Sequence, residues 1–467
     1  MRKVQKIEVL KIDKIAAEGN GIAKTEQGIY FVEKAIPGDV VEAKIIKKKK
    51  DYGLAKIQKI LEPSKERIDA VCSHFGTCGG CYWQSVNYTT QAEFKQQIVL
   101  DTFWKIAKIK IENPLPILAA QQIFEYRNKM EYTFSNRAWL TDEQIQSDEV
   151  FEKRALGFHV AGSFASILQI DKCYLQNDFA NKIRNHIYQF CLDNNFEFYN
   201  LKLQEGFARN LIIRNTTLDE WMVTVCVAQS NQTQIDLMMQ NIQTSFPQIT
   251  SLNYVINTKK NDSIYDQEVI NFAGRPYIIE VLDGIKYKIS TKSFFQTNSF
   301  QAKLLYDVTV KFAKIEPNDI VYDLYCGTGS IALYIAKYCK QVVGIEQIDD
   351  AIIDARENAQ INQISNAKFF TGTVEKLLDE AFIRENKMPD IVILDPPRAG
   401  LHNQVVETLL IAKPKRIVYV SCNPATQARD VQLLSAQYNL LESQAVDMFP
   451  HTYHIENVVL LELKEEA

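Results

Sequence analysis

Asp319-Ile320-Val321-Tyr322-Asp323-Leu324-Tyr325-Cys326-Gly327-Thr328-Gly329-Ser330-Ile331-Ala332 is the stretch whose reading decides the fold. An apolar run of strand composition enters a G-x-G-x-x-A turn, and a helix is expected to follow it. Glycines are required there because the turn is tight and the backbone must come close to a ligand. A second apolar run, Gln341–Ile345, ends in Glu346, 23 residues after Asp323. An acidic side chain at that separation reaches ribose hydroxyls. Turn and carboxylate together predict nucleotide binding at the carboxyl edge of a parallel sheet.

Toward the C-terminus the strand–helix alternation continues through Ala367–Thr373, Asp390–Leu394, Arg416–Val420, Leu440–Phe449 and Val458–Leu463. The fold class is therefore α/β, a doubly wound Rossmann-like sheet whose last strands form an antiparallel edge. The fourth strand empties into Asp395-Pro396-Pro397-Arg398 and the fifth into Ser421-Cys422-Asn423-Pro424. Four residues of strand propensity, Ile417–Val420, thus deliver Cys422 to the edge where open α/β sheets build their sites. A thiol there becomes a nucleophile when its pKa is lowered or its proton removed. His454-Ile455-Glu456-Asn457 precedes the final strand, so the glycine turn, Asp395, Cys422 and Glu456 are expected along one edge.

At 467 residues the chain exceeds what one core supports, so two or three domains are expected. It holds no apolar run long enough to span a membrane, and Met1-Arg2-Lys3 opens nothing like a signal peptide. The protein is read as cytoplasmic, with no membrane partner. Its nine cysteines, an odd number, argue against a disulfide framework in that compartment. Charge is unevenly placed: residues 1–62 carry 14 Lys+Arg against 9 Asp+Glu, giving +5 against −9 for the rest. That asymmetry points to a basic module attached to an acidic enzyme.

Within residues 1–62, short alternating runs (Val4–Ile12, Gly28–Val32, Asp39–Ile46, Leu54–Ile60) are divided by glycine-rich turns. They predict a small OB-like β-barrel, with Lys47–Lys50 crowning a hairpin where RNA phosphates can be gripped. The stretches Ala16–Ala23 and Ala35–Asp39 resemble the TRAM domain, an RNA-binding barrel found on RNA-modifying enzymes.

After a linker at Glu62–Lys65 comes Cys72-Ser73-His74-Phe75-Gly76-Thr77-Cys78-Gly79-Gly80-Cys81. One C-x-x-C with a third cysteine six residues upstream is metal-ligand spacing. Cys173 is the candidate fourth ligand. Zinc, with His74 as substitute ligand, stands as an alternative, but structural zinc usually draws on two compact ligand pairs. Three clustered cysteines plus one remote fit an iron–sulfur cluster better. Helical spacing covers residues 85–112, and a central α+β domain runs to about residue 280. The acidic stretch Thr141–Glu152 reads as a solvated loop, and Cys191 and Cys226 as core residues. The division expected is 1–62, 63–282 and 283–467, with part of 85–120 packing on the last.

A dinucleotide dehydrogenase shares the glycine turn, yet its substrate-binding His/Arg pair has no counterpart here. Asp323-Leu-Tyr-Cys-Gly-Thr-Gly329 resembles the first motif of S-adenosylmethionine-dependent methyltransferases, and Asp395-Pro-Pro recurs among enzymes that methylate nucleobases. Amino-methylating ones place an aromatic residue after the prolines; here Arg398 follows and a thiol sits on the next strand. That points to carbon methylation. Carbon 5 of uracil becomes nucleophilic when a thiolate adds to carbon 6, and a carboxylate must later take the carbon-5 proton.

The ordered set Cys72-x5-Cys78-Gly-Gly-Cys81, Tyr126-Arg-Asn-Lys129, Ser293-Phe-Phe-Gln296-Thr-Asn298, Asp323–Gly329, Asp395–Gly400, Ser421–Pro424 and His454-Ile-Glu456 resembles the RNA (uracil-5-)-methyltransferases. Within them it is most similar to the branch acting on 23S ribosomal RNA with a TRAM domain and a 4Fe-4S cluster. The resemblance implies a methyl-donor pocket for S-adenosyl-L-methionine lined by Gln296, Tyr325, Glu346 and Asp395. It implies Cys422 as nucleophile, Glu456 as base, and Cys72, Cys78, Cys81 and Cys173 as cluster ligands. Ser330 departs from members that carry Asn after the turn. A monomer working on ribosomal RNA is the expected state. The transfer-RNA branch, which typically lacks barrel and cluster, is the alternative. A methylthiotransferase is disfavoured by the missing C-x3-C-x2-C run. A catalytically dead RNA-binding relative is disfavoured because Cys422, Glu456 and the glycine loop are all intact.

Overall fold

The computed structural model describes residues 6–163 and 165–465. Val4 and Gln5 of the first expected strand, and the extreme N-terminus, lie outside them. The strands Ile320–Leu324, Gln341–Glu346 and Ala367–Thr371 run parallel on one side of the C-terminal sheet. Ile391–Leu394 and Arg416–Ser421 continue it in parallel on the other side. The strand Glu456–Leu463 then inserts antiparallel between Arg416–Ser421 and Tyr438–Val446. The predicted antiparallel edge is therefore present, and it has a consequence for the site: the start of the last strand lies beside the end of the fifth.

Alternate residues of this sheet feed two cores, as a sheet buried on both faces requires. On one face Val321, Ile393, Val418 and Leu460 meet the helices Ser299–Ala313, Ser330–Ile335 and Asp349–Ile361. On the other, Tyr322, Val343, Leu394 and Tyr419 meet the helices Asn403–Ala412 and Pro424–Leu434. That second face also takes Val99, Phe103 and Ala107 from the far N-terminal helix Tyr88–Thr102 and the π-turn Phe103–Ala107 behind it. Leu118 donates from its N–H to the Ala445 carbonyl at 2.9 Å, which blunts the exposed edge of Tyr438–Val446.

Residues 7–62 form a six-stranded sheet curled around Leu10, Ala23, Tyr30, Val32, Val41 and Ala43. The Asp13 N–H donates to the Ile22 carbonyl at 2.8 Å and helps close it. Two strands here, Lys14–Ile15 and Gly21–Thr25, are absent from the sequence reading because they are short and flank glycine. Lys47 and Lys48 end one strand of the hairpin, and the exposed turn follows with Lys49 and Lys50. Gly19, at φ +78°, lies against Tyr453: an added Cβ would stand 2.9 Å from the Tyr453 Cβ. The barrel thus packs directly on the loop that precedes Glu456.

The central sheet has seven strands, ordered Ile270–Gly274, Ile249–Ile256, Trp221–Val227, Ala208–Asn215, Lys129–Ser135, Ala155–His159 and Ile167–Gln169. Helices Asp178–Asp193 and Gln232–Ser245 cover it, and Cys191 sits fully buried between them. Cys226 is likewise buried. The acidic stretch differs from expectation in one respect: Thr141 and Gln144 form a capping box, which nucleates the short helix Asp142–Gln146. Among the described residues no helix is long and apolar enough to cross a membrane.

Candidate active site and cysteine cavity

Gln296, Tyr325, Glu346, Asp395, Cys422 and Glu456 all line one cavity of about 780 Å³ at the carboxyl edge of the C-terminal sheet. Its size lies in the range of small-molecule sites. Each residue arrives by a different local device. Tyr325 ends its strand at φ +69°, a conformation a bulky side chain adopts only when its surroundings force it. Glu346 is held in place by two backbone donors: the Gly327 N–H reaches one carboxylate oxygen at 3.2 Å and the Ile348 N–H the other at 3.0 Å. Free lone pairs remain for a diol.

Cys422 follows the strand Arg416–Ser421 directly. Asn423 then caps the helix Pro424–Leu434, its side chain accepting from the Ala425 N–H at 3.1 Å, with Pro424 in the first turn. The Asn423 amide and the Thr426 hydroxyl both donate to the Arg398 carbonyl, at 3.0 and 3.2 Å. The Asp395–Gly400 loop is thereby fastened to the thiol's turn. Gly400 is required at φ +80°, since a Cβ there would stand 2.5 Å from the Asp430 carboxylate. Glu456 enters through register: Asn457 pairs with Ser421, and the buried Asn457 amide donates to Gln427 at 2.8 Å.

The electrostatics are those of a desolvated acidic site. Burial pushes the Cys422 thiol up to about 11, Glu456 and Asp395 push the same way, and the Arg398 guanidinium opposes them. Asp395 is raised to about 7 by desolvation. Glu456 is raised well above the carboxylate range by burial and by Asp395, again opposed by Arg398. Without a cation the Cys422 thiol and the Glu456 carboxyl favour their protonated forms and Asp395 is poised near neutrality; a positively charged ligand shifts all three toward the ionised form. Arg398 also meets the His454 ring, 3.1 Å from Nη2 to Nδ1. The sequence reading noted Arg398 but gave it no role, and it missed Phe449, which lines the cavity. Neither had a signal beyond lying beside an assigned residue.

Cys72, Cys78, Cys81 and Cys173 line a second cavity, of about 890 Å³. The Gly80 N–H lies 3.4 Å from the Cys78 sulfur, and the Gln84 amide 3.7 Å from that of Cys81. Burial pushes the Cys173 thiol up, and the backbone N–H groups of Leu175 and Gln176 oppose it. Four thiols on one cavity, two of them with N–H donors on their sulfurs, match in chemistry the donor set of an iron–sulfur cluster. Among the described residues, no three such donors are gathered tightly enough to hold a single metal ion. His74, the substitute ligand, is engaged elsewhere, accepting from the Asp171 N–H at 3.1 Å.

The strand order and the cavity at its edge define a Rossmann-like methyltransferase domain. The tRNA (Uracil-5-)-methyltransferase family profile matches residues 212–464, and the TRAM domain profile residues 2–57. An uncharacterized RNA methyltransferase of Bacteroides thetaiotaomicron is 46% identical, over 96% of this chain and 100% of that protein. Another, from Chlorobaculum tepidum, is 38% identical over 98% and 96%. The structure of the Pyrococcus abyssi tRNA (uracil-54, C5)-methyltransferase in complex with S-adenosyl-L-homocysteine matches with a TM-score of 0.76 and 29% identity, covering 97% of this chain and 100% of that one. The chain belongs to the RNA uracil-5-methyltransferase family and carries an N-terminal TRAM domain.

Proposed function

We propose that this enzyme transfers the methyl group of S-adenosyl-L-methionine to carbon 5 of a specific uridine in 23S ribosomal RNA. Cys422 adds to carbon 6, and the electron pair moves through the ring so that carbon 5 attacks the sulfonium methyl. The donor leaves as a neutral thioether. Glu456 takes the carbon-5 proton, and the ring expels the thiolate, restoring the double bond. Arg398, whose positive charge favours the Cys422 thiolate, stabilises it at both ends of the cycle. Gln296, Tyr325, Glu346 and Asp395 hold the donor, with Glu346 on the ribose hydroxyls.

One observation carries the reading: a thiol and a buried carboxyl, brought from different strands, share a cavity with a glycine turn and an acidic strand end. A carboxyl raised by burial is a strong proton acceptor once a cationic donor has ionised it. In this reading the enzyme acts as a monomer in the cytoplasm. In this account residues 1–62 grip RNA, 63–282 hold a 4Fe-4S cluster on Cys72, Cys78, Cys81 and Cys173, and 283–467 do the chemistry. When bound, the cluster would supply a rigid tie between the 72–81 loop and Cys173.

A transfer-RNA substrate is the second reading, and one finding favours it: the Pyrococcus abyssi tRNA enzyme matches along the whole chain, barrel included. The barrel therefore does not separate the two RNAs. Mapping 5-methyluridine in ribosomal and transfer RNA with and without the gene decides between them. Loss of a 23S site supports the first reading, and loss only from transfer RNA the second.

A further inference from the structure

The loop from Asp447 to Ile455 delivers Phe449 and Glu456 to the cavity and His454 to Arg398. Connections between edge strands are ordinarily the loosest part of a sheet. This one is not. Five consecutive carbonyls each accept a hydrogen bond from outside the strand pair. Gln301 Nε2 donates to Asp447 O, Asn298 Nδ2 to Met448 O, Lys95 Nζ to Phe449 O and the Tyr126 hydroxyl to Pro450 O, all at 3.0 Å. The Tyr82 and Trp83 N–H groups donate to His451 O at 2.8 and 3.0 Å. Gln91 adds a further tie, accepting from the His451 N–H at 2.9 Å. The Asp447 carboxylate is itself taken by Lys95 Nζ at 2.5 Å and by the Tyr88 hydroxyl at 2.9 Å. His451 is held at φ +67° with Phe124 stacked on its ring at 4.5 Å.

We infer that this clamp positions Glu456 for the proton-removal step, and that Tyr126, Asn298, Lys95 and Gln91 are positioning residues for it. The inference rests on the covalent mechanism proposed above. It gives a task to the Tyr126–Lys129 and Gln296–Asn298 motifs, of which Tyr126 and Asn298 have no place among the cavity walls. It also makes the peptide after Cys81 one jaw of the clamp, so the cysteine loop and the base are mechanically joined through Tyr82, Trp83 and His451. A base displaced by about 1 Å loses on the order of a hundredfold in rate, whereas addition of Cys422 does not involve it.

The test uses the full-length enzyme with Tyr126→Phe, which removes the hydroxyl bound to Pro450 O, and Asn298→Ser, which keeps a capping oxygen for the helix Ser299–Ala313 and loses the amide donor to Met448 O. Turnover should fall by roughly tenfold or more, and a covalent RNA–enzyme species should build up on ordinary RNA. Trapping on 5-fluorouridine RNA, which needs no proton removal, should keep nearly the wild-type rate in both. Trapping that falls in step with turnover would reduce the clamp to a structural role and overturn the inference. So would unchanged turnover in both variants. Should Tyr126→Phe fail to fold, Asn298→Ser decides alone. If the wild type itself does not trap, the covalent reading fails, and this inference with it.

Discussion

Asn457 pairs across the sheet with Ser421. Because their neighbours Glu456 and Cys422 line one cavity, a carboxyl and a thiol 34 residues apart in the chain share the same space. The pairing arises only because the last strand inserts antiparallel between the fifth and sixth. A register slip of one residue would turn Glu456 to the opposite face of the sheet.

Glu456→Gln should separate the two halves of the reaction. Addition and methyl transfer proceed, but the carbon-5 proton stays, so a denaturant-stable RNA–protein species should accumulate on ordinary substrate. Turnover should drop by roughly 10²–10⁴-fold, the usual worth of a general base. Gel analysis of the reaction checks this; an inactive variant with no adduct would assign Glu456 an earlier or structural part.

The Cys422 thiol should be poorly reactive in the free enzyme. Raised to about 11, it exposes only on the order of one thiolate per thousand at pH 8, so alkylation should climb with pH through 10 without levelling off at 9. Arg398→Met removes the group that opposes the rise and should slow alkylation further at every pH. The sign is specific: a plateau near pH 7 would mean the thiol is already activated without donor or RNA. Mass-spectrometric quantification of modified Cys422 reads it.

Anaerobically purified protein should be brown, with iron and sulfide near four each per chain, the content of a cubane cluster. Cys78→Ser or Cys173→Ser should bleach it and lower the unfolding midpoint by roughly 5–10 °C, because binding energy at such a site is folding energy. Stoichiometric zinc in anaerobic preparations would contradict the assignment.

Neutralising Lys47–Lys50, all exposed at the hairpin tip, should weaken RNA binding and flatten its salt dependence. Four lost phosphate contacts correspond to a slope shallower by up to about 3. The Michaelis constant for RNA should rise while turnover at saturating RNA holds, since the removed contacts serve ground and transition states alike. An unchanged slope would leave recognition to the central sheet.

Much of the site is legible in the sequence because its parts sit on strand ends. Glycine turn, Glu346, Asp395 and Cys422 each follow an apolar run, and parallel α/β topology sends all such ends to one edge. What the sequence conceals is long-range pairing. Lys95 and Asp447 meet fully buried across 352 positions, and no periodicity announces it. The helix Tyr88–Thr102 has almost no amphipathic bias, because it buries Gln91 and Lys95 beside Ile98 and Val99, so its pattern does not name the groups those polar side chains meet. The contact of Arg398 with His454 depends on loop geometry that residue types do not encode. Of the two unread barrel strands, Lys14–Ile15 is too short for alternation to be readable, and Gly21–Thr25 opens on a glycine, a residue depleted in strands.

The central claim is the covalent bond between Cys422 and the uracil ring. Wild-type enzyme incubated with methyl donor and 5-fluorouridine RNA should yield a denaturant-stable complex whose cross-linked peptide contains Cys422 and whose base carries the added methyl group. Cys422→Ala should bind donor as well as the wild type and form none. A methylated product released by the Cys422→Ala variant, or a cross-link to any other residue, would contradict the account.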